Sequence, residues 1–375
     1  MNVIFTCGGT GGHINPAIAI ANIWKERYPD SKILFVGGGD PLEQELVPKA
    51  GYDLVCVPAY GIWRSMDFGS IKHNIKAVCA TATGIAKCKK IFKDFKPDVI
   101  VGTGGYASFQ TLAAGKLMKV PTCVHESNAM PGMTTKMASR FVDKVLVCFP
   151  ESIRHYKDAS RVEVVGMPVR REFIYTEKAW ARKELKLDER PVIVSAFGSQ
   201  GAKAMNETMA ELFRLEKEAG FPYQHIHAVG SYGWEWMPGL VKEKGIDLEN
   251  DKAICMQEYI YNMPTVMAAA DVVISRAGAS TCNEIAASGT PCVLIPSPNV
   301  TDNHQEKNAR AMEKPGGAVV ILEKDCSAQC VWDEIKKIVE DPQKSDKMQK
   351  ALHSMVVPDS AERVCGIMEQ IMKRG

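Results

Sequence analysis

The chain has 375 residues, of which 46% are hydrophobic and 24% are charged. This length predicts two or three domains, and the apolar fraction is sufficient for globular cores. No stretch reaches 18 consecutive apolar residues, and no charged leader precedes the apolar start at residues 3–5, so we expect neither a transmembrane helix nor a signal peptide. The 12 cysteines include no Cys-x-x-Cys pair, which favours reduced thiols in a cytosol over disulfides or a zinc site.

The net formal charge of +2 is unevenly distributed along the chain. Residues 1–165 contain 20 Lys and Arg against 14 Asp and Glu, whereas residues 166–375 contain 26 against 30. The first half therefore faces an anionic partner more readily than the second. We expect no nucleic-acid partner.

The chain opens with a predicted strand, a glycine-rich loop and a helix. Residues 3–6 are apolar, residues 8–12 read Gly-Gly-Thr-Gly-Gly, and residues 16–24 form an amphipathic helix with Pro16 near its first position. His13 lies at the junction of the loop and the helix. The spacing is neither Gly-x-Gly-x-x-Gly nor that of a P-loop, and no acidic residue ends the next strand, residues 33–36, which argues against a dinucleotide cofactor.

A basic segment follows at residues 71–96. Its apolar residues recur at helical period between lysines: Ile71, Ile75, Val78, Ala82, Ile85 and Phe92. Such a helix can lie on anionic lipid headgroups, or it can pack on its own sheet with solvated lysines. The periodicity alone favours the second interpretation.

A second glycine-rich turn, residues 102–108, connects a strand at residues 98–101 to a helix at residues 109–119. The next strand, residues 121–124, ends at His125, Glu126, Ser127 and Asn128. The carboxyl ends of parallel strands meet at one edge of a sheet, where ligands bind. We therefore expect these polar residues to lie in the same crevice as His13.

The same plan recurs at residues 271–295. A strand at residues 271–274 leads through small residues into a helix at residues 281–288, and a strand follows at residues 292–295. The free N–H groups at the start of such a helix favour phosphate, and Ser280 and Thr281 add hydroxyl donors. Glu284, on the predicted first turn, could accept hydrogen bonds from a ribose diol or could simply cap the helix.

The two halves resemble copies of one design, because DVIVGTGGYASFQTLAAG and DVVISRAGASTCNEIAASG share the strand–turn–helix order. Residues 192–196, 197–202 and the helix through Leu212 likewise repeat the opening of the chain. The Gly/Pro-rich stretch after residue 162 reads as a linker. We predict two doubly wound α/β domains with parallel sheets, divided near residue 165.

Taken in order, five motifs resemble the signature of the MurG family. They are residues 8–13 (GGTGGH), 104–108 (GGYAS), 125–128 (HESN), 198–202 (GSQGA) and 276–281 (RAGAST) with Glu284. Members of that family are GT-B glycosyltransferases that add N-acetylglucosamine to lipid I to make lipid II. The resemblance covers nearly the whole chain. It implies two Rossmann-like domains facing a cleft: residues 1–165 for the acceptor and the membrane, and residues 166–358 for the donor. Helix 359–375 is expected to pack back on the first domain.

The resemblance also implies which residues bind the donor, UDP-N-acetylglucosamine. The backbone of Ile260 would contact the uracil edge, Glu284 the ribose diol and Gln305 the sugar hydroxyls. The residues expected around the diphosphate are Arg170, Ser199, Arg276, Ala279, Ser280 and Thr281. Those expected to reach the donor sugar and the acceptor from the first domain are Thr10, Gly11, Gly12 and Asn128. On the acceptor side we also expect Gly104, Gly105, Tyr106 and Ser108.

The family inverts the anomeric centre, so the acceptor hydroxyl must lose a proton during in-line attack. His13 is the candidate base because imidazole titrates near neutral pH, although it could instead orient the loop or donate to a phosphate. His125 and Glu126 are the alternatives; Asn128 cannot be a base. The chain contains no Asp-x-Asp, and we expect no metal and no cofactor.

A lipid-linked acceptor stays in the membrane, so the resemblance changes the interpretation of the basic helix. It implies peripheral attachment to the cytoplasmic leaflet of the cell membrane. The residues expected on that face are Trp63, Phe68, Lys72, Ile75, Lys76, Lys89 and Lys90.

Two departures from the family pattern bear on specificity. Phe109-Gln110 stands where Gly-Pro is expected, and His304 stands where a Gln often precedes Gln305. The alternatives to lipid I glycosylation are a diacylglycerol glycosyltransferase, a UDP-N-acetylglucosamine 2-epimerase and a non-catalytic nucleotide-sugar-binding subunit. A nicotinamide oxidoreductase is disfavoured by the loop spacing.

Overall fold

The computed structural model describes residues 1–61, 68–128, 130–300 and 303–373, with backbone alone for residues 68–72. The chain divides into two compact units. The first comprises Met1–Arg170 together with Val357–Gly375, and the second comprises Arg171–Val356.

The first unit is built on a seven-stranded, fully parallel sheet. Its strands are β1 (Asn2–Thr6), β2 (Lys32–Gly37), β3 (Asp53–Cys56), β4 (Val99–Gly102), β5 (Thr122–Glu126), β6 (Lys144–Val147) and β7 (Val162–Val164). They are ordered β3-β2-β1-β4-β5-β6-β7, so the chain reverses direction across the sheet between β1 and β4. Ligands bind at such a switch point because the loops after the two strands diverge to opposite faces.

Five helices connect these strands: α1 (Gly11–Arg27), α2 (Pro41–Lys49), α3 (Phe68–Phe95), α4 (Tyr106–Leu117) and α5 (Met133–Ala138). The prediction that Pro16 lies near the first position of α1 is wrong, because the helix begins at Gly11 and contains Pro16 in its interior. Thr10, in an extended conformation, is its N-cap. His13 therefore lies in the first turn of α1.

The second unit has a six-stranded parallel sheet in the order β10-β9-β8-β11-β12-β13, with its switch point between β8 and β11. The strands are β8 (Val192–Ala196), β9 (Gln224–Ala228), β10 (Ile254–Gln257), β11 (Val272–Ser275), β12 (Cys292–Leu294) and β13 (Ala318–Val320). The helices are α6 (Glu172–Tyr175), α7 (Lys178–Glu184), α8 (Lys203–Glu218), α9 (Met237–Glu243), α10 (Met263–Ala269), α11 (Ala279–Ser288), α12 (His304–Glu313), α13 (Ala328–Val339) and α14 (Pro342–Ser354).

The last helix, α15 (Ser360–Met372), belongs to the first unit and packs on α1. Its apolar residues Val364, Cys365 and Met368 are fully buried in one core with Trp24 of α1. At the rim of this contact, Arg27 forms an ion pair with Glu369 at 3.2 Å. Burial of apolar area rather than this half-exposed ion pair holds the helix in place.

The prediction of two doubly wound α/β units is confirmed. The β-branched runs at the centres of the sheets form β1, β4, β8 and β11, which are buried throughout or nearly so. The edge and outer strands β3, β6 and β7 were not predicted. β3 and β7 have no fully buried residue, and such short, half-buried strands carry a weak periodic signal.

Candidate functional site

The two glycine-rich loops of the first unit touch at its switch point. A Cβ on Gly105, whose φ is 82°, would lie 2.7 Å from the backbone atoms of Gly8, so the two chains pack backbone against backbone. Ser108 is buried, and its hydroxyl lies 2.9 Å from the Thr6 carbonyl oxygen and 2.5 Å from that of Gly104. Ser108 therefore fixes the loops to each other.

His13 lies half-buried between these loops. Its Nδ1 is 2.8 Å from the carbonyl oxygen of Gly8 and 3.4 Å from the hydroxyl of Thr10. A carbonyl oxygen only accepts hydrogen bonds, so this contact favours the neutral tautomer with the proton on Nδ1 and the lone pair on Nε2. The ring packs over Gly104, where a Cβ would be 2.5 Å from His13 Cδ2. His13 thus has a fixed ring plane.

The other two candidate bases are held by structural hydrogen bonds. His125 is fully buried, and its Nε2 donates to the Gly166 carbonyl oxygen at 3.1 Å. Burial lowers its pKa, because the imidazolium would lose its hydration. Glu126 is also buried, and its carboxylate accepts from the Asn128 backbone N–H, from Asn128 Nδ2 and from the Gly132 N–H, each at 3.0 Å. Glu126 therefore positions Asn128.

Tyr106, on the predicted acceptor side, starts α4 and has an exposed ring. The ring covers Gly61, where a Cβ would lie 2.5 Å from Tyr106 Cζ. The Gly61 carbonyl in turn accepts from His73 Nε2 of α3 at 2.8 Å. A large aromatic surface thus faces solvent next to the Gly104–Gly105 turn.

In the second unit, the loop after β8 packs against the loop after β9. Gly201 has a φ of 78°, and a Cβ there would overlap the Val229 carbonyl oxygen. The Ser231 N–H donates to the Ser199 carbonyl at 3.2 Å. Ser199 itself is half-buried, so its hydroxyl lies at the carboxyl edge of the sheet on a fixed backbone.

The loop after β11 ends at the start of α11. Gly278 is the N-cap, no side chain caps the helix, and Ala279, Ser280 and Thr281 form its half-buried first turn. The expectation that Glu284 lies on the first turn is wrong, because the helix begins at Ala279 and Glu284 falls on the second turn. This position removes the first-turn capping interpretation of the carboxylate.

Four helices follow the loops at the two switch points: α1, α4, α8 and α11. Each has no side-chain cap and no acidic residue in its first turn. The helices α2 and α14, which do not follow switch-point strands, are capped by Asp40 and Asp341, whereas α5, α7, α9 and α10 also lack a side-chain cap and a first-turn acid. The positive ends of the four switch-point helix dipoles are therefore left for an anion.

The remaining residues predicted to bind the sugar-nucleotide donor differ in how many contacts they already make within the protein. The guanidinium of Arg276 is paired with the Glu323 carboxylate and donates to the Ile295 carbonyl at 3.0 Å. Gln305, in the first turn of α12, accepts the Ser297 N–H at 2.9 Å. Ile260 is buried in the loop after β10. Arg170 is the last residue of the first unit.

The basic helix α3 presents an apolar stripe to solvent. The side chains of Ile75 and Val78 are 61% and 62% exposed, and Cys79 and Ala82 continue the stripe at helical spacing. Phe92 and Cys88 face the core instead. Of the predicted membrane face, Trp63 and the side chains of Phe68 and Lys72 lie outside the described residues. Within the described part of the chain, no helix is both long enough and apolar enough to cross a bilayer.

Sequence reasoning missed Glu43, the buried acid of α2 whose carboxylate contacts the first glycine-rich loop. The available signal was a glycine run followed by an acid in the first turn of a helix, a pattern that is also typical of ordinary helix capping. Across the residues that the structure describes, no three His, Cys, Asp or Glu side chains converge as metal ligands would.

Comparison with known proteins gives one consistent result. Residues 3–147 match the glycosyltransferase family 28 N-terminal domain, and residues 192–364 match the family 28 C-terminal domain. A protein of Acetivibrio thermocellus is 40% identical over 374 residues, with 100% of this chain and 99% of the relative covered. One of Bacillus cytotoxicus is 35% identical with full coverage of both chains. Each is named UDP-N-acetylglucosamine–N-acetylmuramyl-(pentapeptide) pyrophosphoryl-undecaprenol N-acetylglucosamine transferase.

Solved structures share the fold. MurG of Acinetobacter baumannii superposes with a TM-score of 0.70 at 22% identity, covering 98% of this chain and 99% of that one. The UDP-GlcNAc 2-epimerase of Neisseria meningitidis, solved with UDP-GlcNAc bound, gives a TM-score of 0.66 at 14% identity, covering 99% of this chain and 100% of that one.

Proposed function

This chain belongs to the MurG family of glycosyltransferases, and on that premise we propose that it transfers N-acetylglucosamine from UDP-N-acetylglucosamine to the MurNAc 4-hydroxyl of lipid I, giving lipid II. The observation that carries the proposal is the identity of 35–40% over the whole chain with transferases of that name. The open helix ends at both switch points supply the anion sites that a nucleotide diphosphate sugar requires.

The donor is held by the second unit. Its diphosphate accepts hydrogen bonds from the first turn of α11, with the hydroxyls of Ser280 and Thr281 as further donors. The Glu284 carboxylate, one turn further along the same face, accepts from the ribose diol. Arg276 keeps its pairing with Glu323 and contributes by its field and by holding the loop after β11. Ser199, Gln305 and the backbone of Ile260 complete the contacts to phosphate, sugar and uracil.

The reaction is a single displacement with inversion. The acceptor oxygen attacks the anomeric carbon while Nε2 of His13 takes its proton, and the bond from that carbon to the phosphate oxygen breaks with its electron pair leaving on UDP. Helix-end N–H groups stabilise the negative charge that develops on the leaving diphosphate. Asn128, fixed by Glu126, orients the hydroxyl groups of the reacting sugars.

The apolar stripe of α3 and its flanking lysines bind the cytoplasmic leaflet of the cell membrane. Ile75 and Val78 enter the interface, and Lys76, Lys89 and Lys90 attract anionic headgroups, each contributing about 1 kcal/mol near the surface. The excess of basic residues in the first half of the chain favours the same orientation. This attachment is peripheral and keeps the acceptor's polyprenyl tail in the bilayer.

The test is incubation of the full chain with labelled UDP-N-acetylglucosamine and a short-chain lipid I analogue, without added metal. We expect the label to appear in the lipid II analogue formed from lipid I. When diacylglycerol is offered as the acceptor instead, we expect no labelled product. Conversion of the donor in the absence of any acceptor would instead identify an epimerase. Donor binding without transfer to either acceptor would overturn the proposal in favour of a non-catalytic subunit.

A further inference from the structure

Glu43 of α2 is an acidic residue that is only 1% exposed. Its Oε2 accepts the N–H of Gly39 at the start of its own helix, at 2.9 Å. Its Oε1 accepts the N–H of Gly9, in the loop after β1, also at 2.9 Å. One buried carboxylate thus joins the loops that follow two neighbouring strands of the sheet.

Two glycines, Gly8 and Gly37, leave room for the Glu43 carboxylate. A Cβ on Gly37 would overlap Glu43 Oε2, and a Cβ on Gly8 would come within 3.3 Å of Oε1. Asp40 already caps α2 through the Leu42 N–H at 3.0 Å, so the helix does not need Glu43 as its cap. The second oxygen of Glu43 is directed to another loop, which a capping role does not explain.

The Gly9 N–H that Glu43 accepts belongs to the same peptide group as the Gly8 carbonyl that His13 contacts. In a planar trans peptide the N–H and C=O point in opposite directions. A carboxylate on the Gly9 N–H therefore turns the Gly8 carbonyl towards Nδ1 of His13, which lies 2.8 Å away. Negative charge on one side of a peptide also polarises its carbonyl and strengthens it as an acceptor.

We propose that Glu43 is a positioning residue for His13, acting through the Gly8–Gly9 peptide to keep the imidazole proton on Nδ1 and the lone pair on Nε2. The arrangement performs the task of a carboxylate that orients a catalytic histidine, with one peptide group between the two side chains. The contribution of Glu43 to sugar transfer rests on the proposed function. The position of the proton on the His13 ring can be measured independently of that function.

The experiment is an NMR measurement of the histidine tautomers in the full chain, labelled with ¹⁵N in its imidazole rings. The two nitrogens give different shifts and couplings according to which carries the proton, and His13→Gln assigns the signal. We expect the Nδ1–H tautomer in the wild-type protein. An Nε2–H tautomer there would overturn the proposal without any variant and without an activity assay.

The variant Glu43→Gln has one acceptor oxygen for two N–H groups, so it must release one of them. We expect a larger Nε2–H fraction at His13 and a kcat lower by about tenfold or more, with little change in the KM for UDP-N-acetylglucosamine. Glu43→Asp keeps the charge and should recover part of both effects. Glu45→Gln, at a half-exposed residue of the same helix paired with Lys49, is the matched control and should change neither.

If Glu43 contributed only to the stability of the fold, the outcome would be different. Glu43→Gln would then lower the melting temperature while the His13 tautomer stayed the same in the folded fraction, and that result would overturn the proposal. If Glu43→Gln shifts the His13 tautomer as expected but the wild-type chain transfers no sugar, the proposed function fails and the positioning role of Glu43 stands.

Discussion

The side-chain amide of Asn128 donates to a carboxylate oxygen of Glu126 at 3.0 Å, two residues earlier in the chain. The same oxygen accepts the Asn128 backbone N–H, so both the backbone and the side chain of Asn128 are fixed by one buried acid. The other Glu126 oxygen accepts the Gly132 N–H. A glutamine at this position would have one acceptor oxygen instead of two, too few for the three donors.

We therefore predict that Glu126→Gln lowers kcat by roughly 10- to 100-fold, the cost of about 1.5–3 kcal/mol for a lost hydrogen bond to a charged group. In a double-mutant cycle, adding Glu126→Gln to Asn128→Ala should cost little more in kcat than Asn128→Ala alone. Glu151→Gln, at an exposed acid, is the control. Fully additive losses would show that Glu126 acts independently of Asn128.

Gly104→Ala should displace the ring of His13. The φ of 108° costs any L residue about 1–2 kcal/mol, and the new methyl would come within 2.5 Å of His13 Cδ2. Because small displacements of catalytic groups are costly, we expect kcat to fall by about a hundredfold. Gly51→Ala has a similar positive φ with no neighbour within 4 Å, so it should lose stability but keep its kcat. Equal losses of kcat in both variants would contradict the prediction.

Glu284→Ala should weaken UDP binding by roughly 10- to 100-fold, because a charge-assisted hydrogen bond to the ribose is lost. Calorimetric titration with UDP and with its 2′- and 3′-deoxy analogues checks the assignment. The wild-type chain should discriminate against at least one deoxy analogue, and the variant should bind that analogue as it binds UDP. Unchanged discrimination in the variant would remove Glu284 from the ribose site.

Replacing Ile75 and Val78 together by Asp should reduce binding to anionic vesicles by about a hundredfold. Each side chain contributes at least about 1.5 kcal/mol when it leaves water. Leu117→Asp is the matched control, because Leu117 of α4 is also 62% exposed but lies outside the stripe. Flotation at low and high salt separates the lysine contribution, which should decrease with salt. Equal flotation of the double variant and wild type would exclude this face.

A buried polar cluster in the second unit predicts acid sensitivity. Ser195 Oγ lies 2.7 Å from both His225 Nε2 and His227 Nδ1, and His225 Nδ1 is 2.8 Å from a Glu216 oxygen. Burial, reinforced by His225, lowers the pKa of His227 to about 3. Between about pH 6.5 and 3 the unfolded chain therefore binds a proton at His227 that the folded chain does not, so stability falls as the pH falls.

The expected slope from this one group is at most about 1.4 kcal/mol per pH unit. Urea unfolding between pH 4 and 7 measures it, and His227→Gln, which cannot take up a proton, should flatten the dependence by that amount. His155→Gln, at a half-buried histidine of the first unit, should leave the slope of the second unit unchanged. A variant as acid-sensitive as wild type would show that His227 is not responsible.

Much of the fold was readable from local patterns. The run at residues 192–196 is predicted as a strand and is β8, because a β-branched segment that precedes a glycine-containing loop favours an extended conformation. The glycine turns were equally clear, since the close backbone contact of Gly8 with Gly105 requires residues without a Cβ. Helix starts were less accurate: α1 and α11 begin before their predicted first residues, because small residues carry no periodic signal.

By itself, the sequence determined the two α/β units, their glycine turns and the family, since each follows from the order and spacing of residues along the chain. Only the tertiary structure decided that His13 Nδ1 lies against the Gly8 carbonyl, that Glu323 holds Arg276, and that Glu43 reaches a loop 34 residues away. These contacts depend on which strands become neighbours in a sheet and on how closely their loops pack. Hydrogen bonds form over about 3 Å, and residues far apart in sequence reach that distance only when the chain is folded.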